Sequence, residues 1–230
     1  MIIRKEASAL TPAERTAYKN AISQMLANPS NPYGKLVAIH GVMAHHMHGG
    51  MSMPGMGTPG TQRFLSWHRD YLLQFEQAAG ITVPYWDWTK HKGVPTWLRT
   101  FKPSVFIPGT GTVVVRRNAG IPAKINVSSI MALTTFTDFT DQLENGPHGE
   151  VHMEVGTVNG VNEAMANIKV SPADPIFWLH HAQIDRLWSI WQTQNPGQNP
   201  TLTGANAVMD PWSETATQLR SITTLGYSYQ

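Results

Sequence analysis

The stretch Asp174-Pro-Ile-Phe-Trp-Leu-His-His-Ala-Gln-Ile-Asp-Arg-Leu-Trp188 constrains this chain more than any other. Asp174 can cap a helix, and Pro175 suits its first turn. Phe177, Ile184, Leu187, Trp188 and Trp191 then recur at helical spacing, which predicts a buried helix. His180 and His181 sit inside it. An imidazole taken out of water costs free energy unless it is hydrogen-bonded or bound to a metal. Two of them in one core helix need partners.

A second stretch supplies partners. In His148-Gly-Glu-Val-His152 the histidines are spaced i, i+4, so a helix puts both on one face. Val151 and Val155 share that face, which therefore points inward, and Pro147 reads as the first helical residue. Two imidazoles one turn apart are two-thirds of a three-histidine metal site. His181 or His180 would complete it.

Two more helices carry inward histidines. A helix from Tyr33 to about His46 places Leu36, Val37, His40 and Met43 on one face. Phe64 to Glu76 forms another, capped by Ser66 and closed by Gly80, with His68, Tyr71, Leu72 and Phe75 together. A lone buried histidine is ordinarily bonded to a carbonyl. Five or more converging on one helical core are not explained by chance carbonyl partners. Helix bundles build metal sites in this way. The fold expected is mainly α: a four-helix bundle holding the metal centre, with long loops and a minor β-hairpin near Thr110–Arg117, as one domain over residues 1–230.

The remaining chain is read as support. Thr11-Pro-Ala-Glu14 is a capping box opening a helix to about Ala27, with Ala17, Ile22, Met25 and Leu26 inward. Val83-Pro-Tyr-Trp-Asp-Trp88 is aromatic packing. Met131 to Leu143 is a helix with Phe136, Phe139 and Leu143 inward. From Asn195 onward the tail is mostly irregular. His45-His-Met-His-Gly-Gly-Met-Ser-Met-Pro-Gly-Met56 is a loop, because Gly and Pro interrupt it. Thioethers suit Cu(I), so Met47, Met51, Met53 and Met56 fit metal delivery from a copper-loading partner. The plainer reading is methionines covering a hydrophobic rim.

Composition narrows the chemistry. There is no cysteine, which excludes disulfides, thiolate ligands and a catalytic thiol. The net charge is only +2, and no Lys/Arg run exceeds two residues, so neither nucleic acid nor an anionic membrane surface is indicated. No stretch reaches the ~18 apolar residues of a membrane span. No apolar leader is visible, so a cytoplasmic protein is the default, with export alongside a partner as the other route. Imidazole-only ligation fits zinc or copper, and two three-histidine groups imply a dinuclear centre.

These motifs together resemble the tyrosinase (type 3 copper) family. The matching residues are Phe64-Leu-Ser-Trp-His-Arg69, Pro84-Tyr-Trp-Asp-Trp88, His148-x-x-x-His152 and the stretch from Asp174 to Trp188. Arg4 and Tyr227-Ser-Tyr229 resemble the arginine and tyrosine motif that bracket the family's catalytic domain. The resemblance implies two copper ions, each held by three histidine Nε2 atoms, with O2 as co-substrate. The second copper would take His148, His152 and His181, leaving His180 as a neighbour. The first would take His40 and His68. The family's usual third ligand lies nine positions before His68, where this chain has Pro59. The replacement would come from His45, His46 or His48; His48 is the expected one, two helical turns past His40 and followed by Gly49-Gly50, which could let the loop fold back, with His45 its close rival.

The resemblance also implies two residues of the reaction. Glu144 matches a family glutamate that holds a water near the coppers, which can deprotonate a phenol. Gly149 stands where many efficient tyrosinases have an asparagine. An oxidase turning o-diphenols, and more weakly monophenols or o-aminophenols, into o-quinones is therefore expected. The alternatives are a haemocyanin-like O2 carrier and, more remotely, a zinc hydrolase.

Overall fold

The computed structural model describes residues 1–49 and 59–230. Among these residues there are seven α-helices: α1 (Pro12–Ala27), α2 (Pro32–His40), α3 (Pro59–Ala79), α4 (Ser128–Met131), α5 (Phe136–Leu143), α6 (Gly149–Gly156) and α7 (Ile176–Gln194). Helices α2, α3, α6 and α7 form the bundle expected from the histidine pattern. No helix among the described residues is long and apolar enough to cross a membrane.

Local chemistry explains most boundaries. The Thr11 hydroxyl accepts from Glu14 N at 3.2 Å while the Glu14 carboxylate accepts from Thr11 N at 2.8 Å, completing the capping box of α1. Its inner face is Tyr18, Ala21, Ile22 and Met25. Ala17, expected inward, is exposed, because the larger Tyr18 turns in and donates from its hydroxyl to Pro175 O at 2.8 Å. At α7, Asp174 Oδ1 accepts from Ile176 N at 3.1 Å, as its capping position predicts.

Three boundaries differ from the sequence reading. Helix α2 stops at His40 instead of reaching about His46: Val42 is extended, a short 3-10 turn follows over Met43–His45, and His46 is left-handed at φ 47°. Helix α3 starts at Pro59, which suits a first helical position, so the expected cap Ser66 lies buried inside the helix. The helix expected over Met131–Leu143 is two, α4 and α5, with Thr135 capping the second by accepting from Asp138 N at 3.2 Å.

Helix α5 then runs into α6 through a π-helical turn over Glu144–His148. Pro147, expected to open a new helix, lies inside that turn. It offers no N–H to the Leu143 carbonyl, so the ordinary ladder cannot continue, and Gly146 takes up the kink at φ −98°, ψ −105°.

The core is aromatic. Phe75 stacks on Trp178 at 4.1 Å and Phe139 on Trp191 at 4.4 Å. Each fully buried ring of this kind contributes roughly 1.5–3 kcal/mol. Strands β2 (Ser104–Ile107) and β3 (Gly111–Val114) make the antiparallel hairpin, a few residues ahead of its expected place. A smaller hairpin pairs β4 (Thr157–Val158) with β5 (Val161–Asn162).

The tail is mostly irregular, with a short 3-10 turn over Gly204–Ala207 and β6 (Tyr227–Tyr229), which pairs in parallel with β1 (Ile2–Arg4). Beneath this pair Asp185 of α7 receives Arg69 Nε at 2.5 Å, Arg4 Nη1 at 3.1 Å, and the hydroxyls of Tyr227 and Tyr229 at 2.7 and 2.6 Å. Burial alone would raise its pKa, but Arg69 and Arg4 hold the carboxyl below the usual aspartate range. The Arg69 guanidinium also lies 3.6 Å over the Trp188 ring. Arg69 follows His68 directly, and Asp185 is one turn past His181, so this knot braces α3 against α7 beside the histidines.

Candidate metal centre

Two groups of histidines converge between the bundle helices. His40, His48 and His68 form one; His148, His152, His180 and His181 form the other. Within each group the candidate ligand atoms lie within 4.8 Å of one another. The groups adjoin: the His68 and His181 rings stack at 4.3 Å, and those of His48 and His148 at 5.7 Å.

Hydrogen bonds fix which nitrogen each ring turns inward. Nδ1 of His40 donates to Ile168 O at 2.7 Å, and Nδ1 of His68 to Phe64 O at 2.9 Å. Nδ1 of His148 donates to Glu144 O at 3.1 Å, and Nδ1 of His152 to Met165 O at 2.7 Å. His48 uses Nδ1 toward Glu144 Oε1 at 3.1 Å. A neutral imidazole has one N–H, so in all five the lone pair is on Nε2.

Those lone pairs face one another. His40 and His68 bring their Nε2 atoms to 3.5 Å, and with both protons spent on carbonyls no N–H remains to bridge them. His181, whose Nδ1 is buried with no hydrogen-bond partner among the described residues, brings its Nε2 to 3.3 Å from that of His152. The Nε2 atoms of His48 and His148 are buried and have no hydrogen-bond partner among the described residues. Protonation does not relieve the crowding. Burial first, and neighbouring imidazoles second, push His40, His68, His148 and His181 well below the ordinary histidine range. Burial holds His152 down to about 4. Converging neutral donors, orphaned and out of water, fit a pair of cations.

His180 differs. Its Nδ1 accepts from the Trp88 indole, so its remaining proton sits on Nε2. His45 is stacked on Trp67 and bonded through Nδ1 to Asp210, and His46 is exposed. The structure therefore brings His48, and not His45 or His46, to His40 and His68. It does so by the loop folding back, one of the two grounds for expecting His48; the other, an unbroken helical register from His40, does not hold, because α2 ends at His40.

A cavity of about 290 Å³ opens onto the histidines. His40, His48, His148 and His152 line it, together with Glu144, Gly149, Asn145, Met153, Met165 and Ile168. The sequence reading named Glu144 and Gly149 but missed the last four. Asn145 and Met153 adjoin named residues; Met165 and Ile168 carried no local signal, since only folding makes their carbonyls the partners of His152 and His40. Among the delivery methionines, Met47 is buried in the core, and Met51, Met53 and Met56 lie outside the described residues.

A helical bundle with two adjoining sets of inward imidazoles has the build of a dinuclear metalloprotein. Comparison with known proteins places it further. The family profile described as the common central domain of tyrosinase matches residues 30–118 and 108–194, so the chain belongs to the tyrosinase family and is a type 3 copper oxidoreductase. It is 28% identical to the tyrosinase of Streptomyces antibioticus over 94% of both chains. A functional unit of octopus hemocyanin shares 25% identity at TM-score 0.73, covering all of this chain and 68% of that one. The polyphenol oxidase of Thermothelomyces thermophila shares the fold at TM-score 0.68 and 20% identity, over 89% of its length.

Proposed function

We propose that this chain oxidises o-diphenols to o-quinones with O2, and monophenols or o-aminophenols more weakly. His40, His48 and His68 would hold one copper, and His148, His152 and His181 the other. The observation that carries this reading is the 290 Å³ cavity reaching histidines of both sets, which gives an aromatic ring access to the metals. Access of that kind favours an oxidase over an O2 carrier, which needs no room for a phenol.

When bound, the copper pair supplies O2 binding and electron uptake: two catechols lose four electrons and four protons to one O2, giving two quinones and two waters. The chain's own residues supply placement and proton handling. Met153, Met165 and Ile168 offer apolar walls for a ring. Glu144 lines the same cavity, and its Oε2 is buried with no hydrogen-bond partner among the described residues. That oxygen is the proposed acceptor, directly or through a held water, for a substrate proton. Gly149 beside it has no side chain to orient such a water.

The test is copper reconstitution followed by parallel assays with a monophenol, a catechol and an o-aminophenol. The catechol should turn over fastest. Reversible O2 uptake with no turnover of any of the three would establish the carrier instead.

A further inference from the structure

We infer that Glu144 is the positioning residue for the first metal site, acting through His48; this rests on reading His40, His48 and His68 as one ligand set. His40 and His68 stand on helices, whose backbone ladders fix their rings. His48 does not. It follows the left-handed His46 and precedes Gly49, so the ring needs fastening from outside.

The fastening is visible. Glu144 Oε1 accepts from His48 Nδ1 at 3.1 Å and from Gly49 N at 2.9 Å, so one oxygen holds both the ring and the backbone next to it. The loop also lies flat on the first turn of α3. A Cβ on Gly60 would stand 2.0 Å from His48 O, and one on Gly49 would stand 2.1 Å from Thr61 Oγ1. Glu144 is itself well placed to anchor. Its main-chain carbonyl accepts from His148 Nδ1 at 3.1 Å, so the same residue touches one histidine of each set. A carboxylate on Nδ1 fixes ring orientation and tautomer and makes Nε2 a better donor.

The proton-acceptor role proposed above concerns Oε2; the positioning role concerns Oε1. Glu144→Gln separates them, because an amide oxygen can still accept both bonds but cannot take up a proton at neutral pH. Glu144→Ala removes both roles. The measurement is copper bound per chain across a titration of metal-free protein. Electron paramagnetic resonance accompanies it, since an isolated Cu(II) gives a signal that a coupled pair does not.

We expect Glu144→Ala to bind the first-site copper about 10–100-fold more weakly while keeping one copper at full affinity, with the isolated-ion signal appearing. Glu144→Gln should restore two coppers and silence the signal. Two coppers at native affinity in Glu144→Ala would overturn the inference. So would loss of both coppers, which would make Glu144 a support of the whole bundle. Failure of Glu144→Gln to restore the site would also overturn it. His48→Ala is the separate control: if it still binds two coppers at native affinity, the ligand set itself is wrong.

Discussion

The Trp88 indole donates from Nε1 to Nδ1 of His180 at 3.1 Å, and this bond decides what His180 can do. Its Nδ1 lone pair is occupied, so Nε2 keeps the proton and has none to offer a metal. The neighbouring His181 has no such bond and turns its Nε2 toward that of His152. We therefore expect His181→Ala or His152→Ala to bind one copper and lose turnover. His180→Ala should keep two. Metal analysis and catechol oxidation on the three variants check this; one copper in the His180 variant together with two in the His181 variant would reverse the assignment.

Gly149 bears on reaction type. An unperturbed phenol has a pKa near ~10, so hydroxylating a monophenol requires the site to remove its proton. A Cβ on Gly149 would lie 3.6 Å from Glu144 O, an ordinary contact, so the helix accepts a side chain there. Gly149→Asn should raise the monophenol rate several-fold relative to the catechol rate by orienting the water that Glu144 holds. The ratio of the two turnover rates is the readout. An unchanged ratio places the proton acceptor elsewhere.

Substrate charge should matter as well. Among the described residues the cavity lining includes no lysine or arginine, and Glu144 is its one carboxylate. The stretch 50–58 adds no charged residue in sequence. A substrate carboxylate reaching the walls away from the metals therefore finds no side-chain counter-ion and one like charge. We expect kcat/KM for 4-methylcatechol to exceed that for 3,4-dihydroxyphenylacetate by about tenfold, or ~1.4 kcal/mol. Equal values would mean that both ring substituents stay in water.

How much of this was legible in the sequence follows from how local each feature is. The His148/His152 pair and the helix after Asp174 depend on spacing within a few residues, so they could be read directly. The knot at Asp185 could not be assembled from sequence alone, because its donors come from residues 4, 69, 227 and 229. His48 was named partly for a helical register that the structure breaks and partly for a loop able to fold back at Gly49; the carboxylate that holds the ring, 96 positions away, had no local signal. The end of α2 at His40 was missed although Gly41 follows it, because Leu36, Val37, His40 and Met43 keep helical spacing across the point where Val42 turns extended.

Stability of the metal-free protein should depend on pH through the same histidines. Their folded pKa values are depressed, so in the folded chain they stay neutral where the unfolded chain takes up protons. Folding is thus fully favoured above the unfolded value of about 6.5 and weakens as pH falls below it, toward the value of about 4 that burial gives His152. Asp185, also depressed, adds a loss in the same direction at still lower pH. Urea midpoints of metal-free protein at pH 7.5 and 5.5 measure the effect, with the lower midpoint expected at pH 5.5. Equal midpoints would show that the imidazoles titrate freely.

The π-helical turn over Glu144–His148 places a different kind of restriction on the chain. It joins α5 to α6 across the kink at Gly146, so its length sets the rotation at which α6 begins, and successive residues on a helix are rotated by about 100°. Deleting a single residue there would swing His148 and His152 about the axis of α6 by that angle, out of the bundle, while leaving every side chain chemically intact. The segment can absorb changes of residue type, but its length is as much a part of the metal site as its histidines. The hairpin turn at residues 108–110 carries no such requirement. Insertions and deletions should therefore accumulate at the hairpin and be purged between Glu144 and His148, whatever the composition on either side.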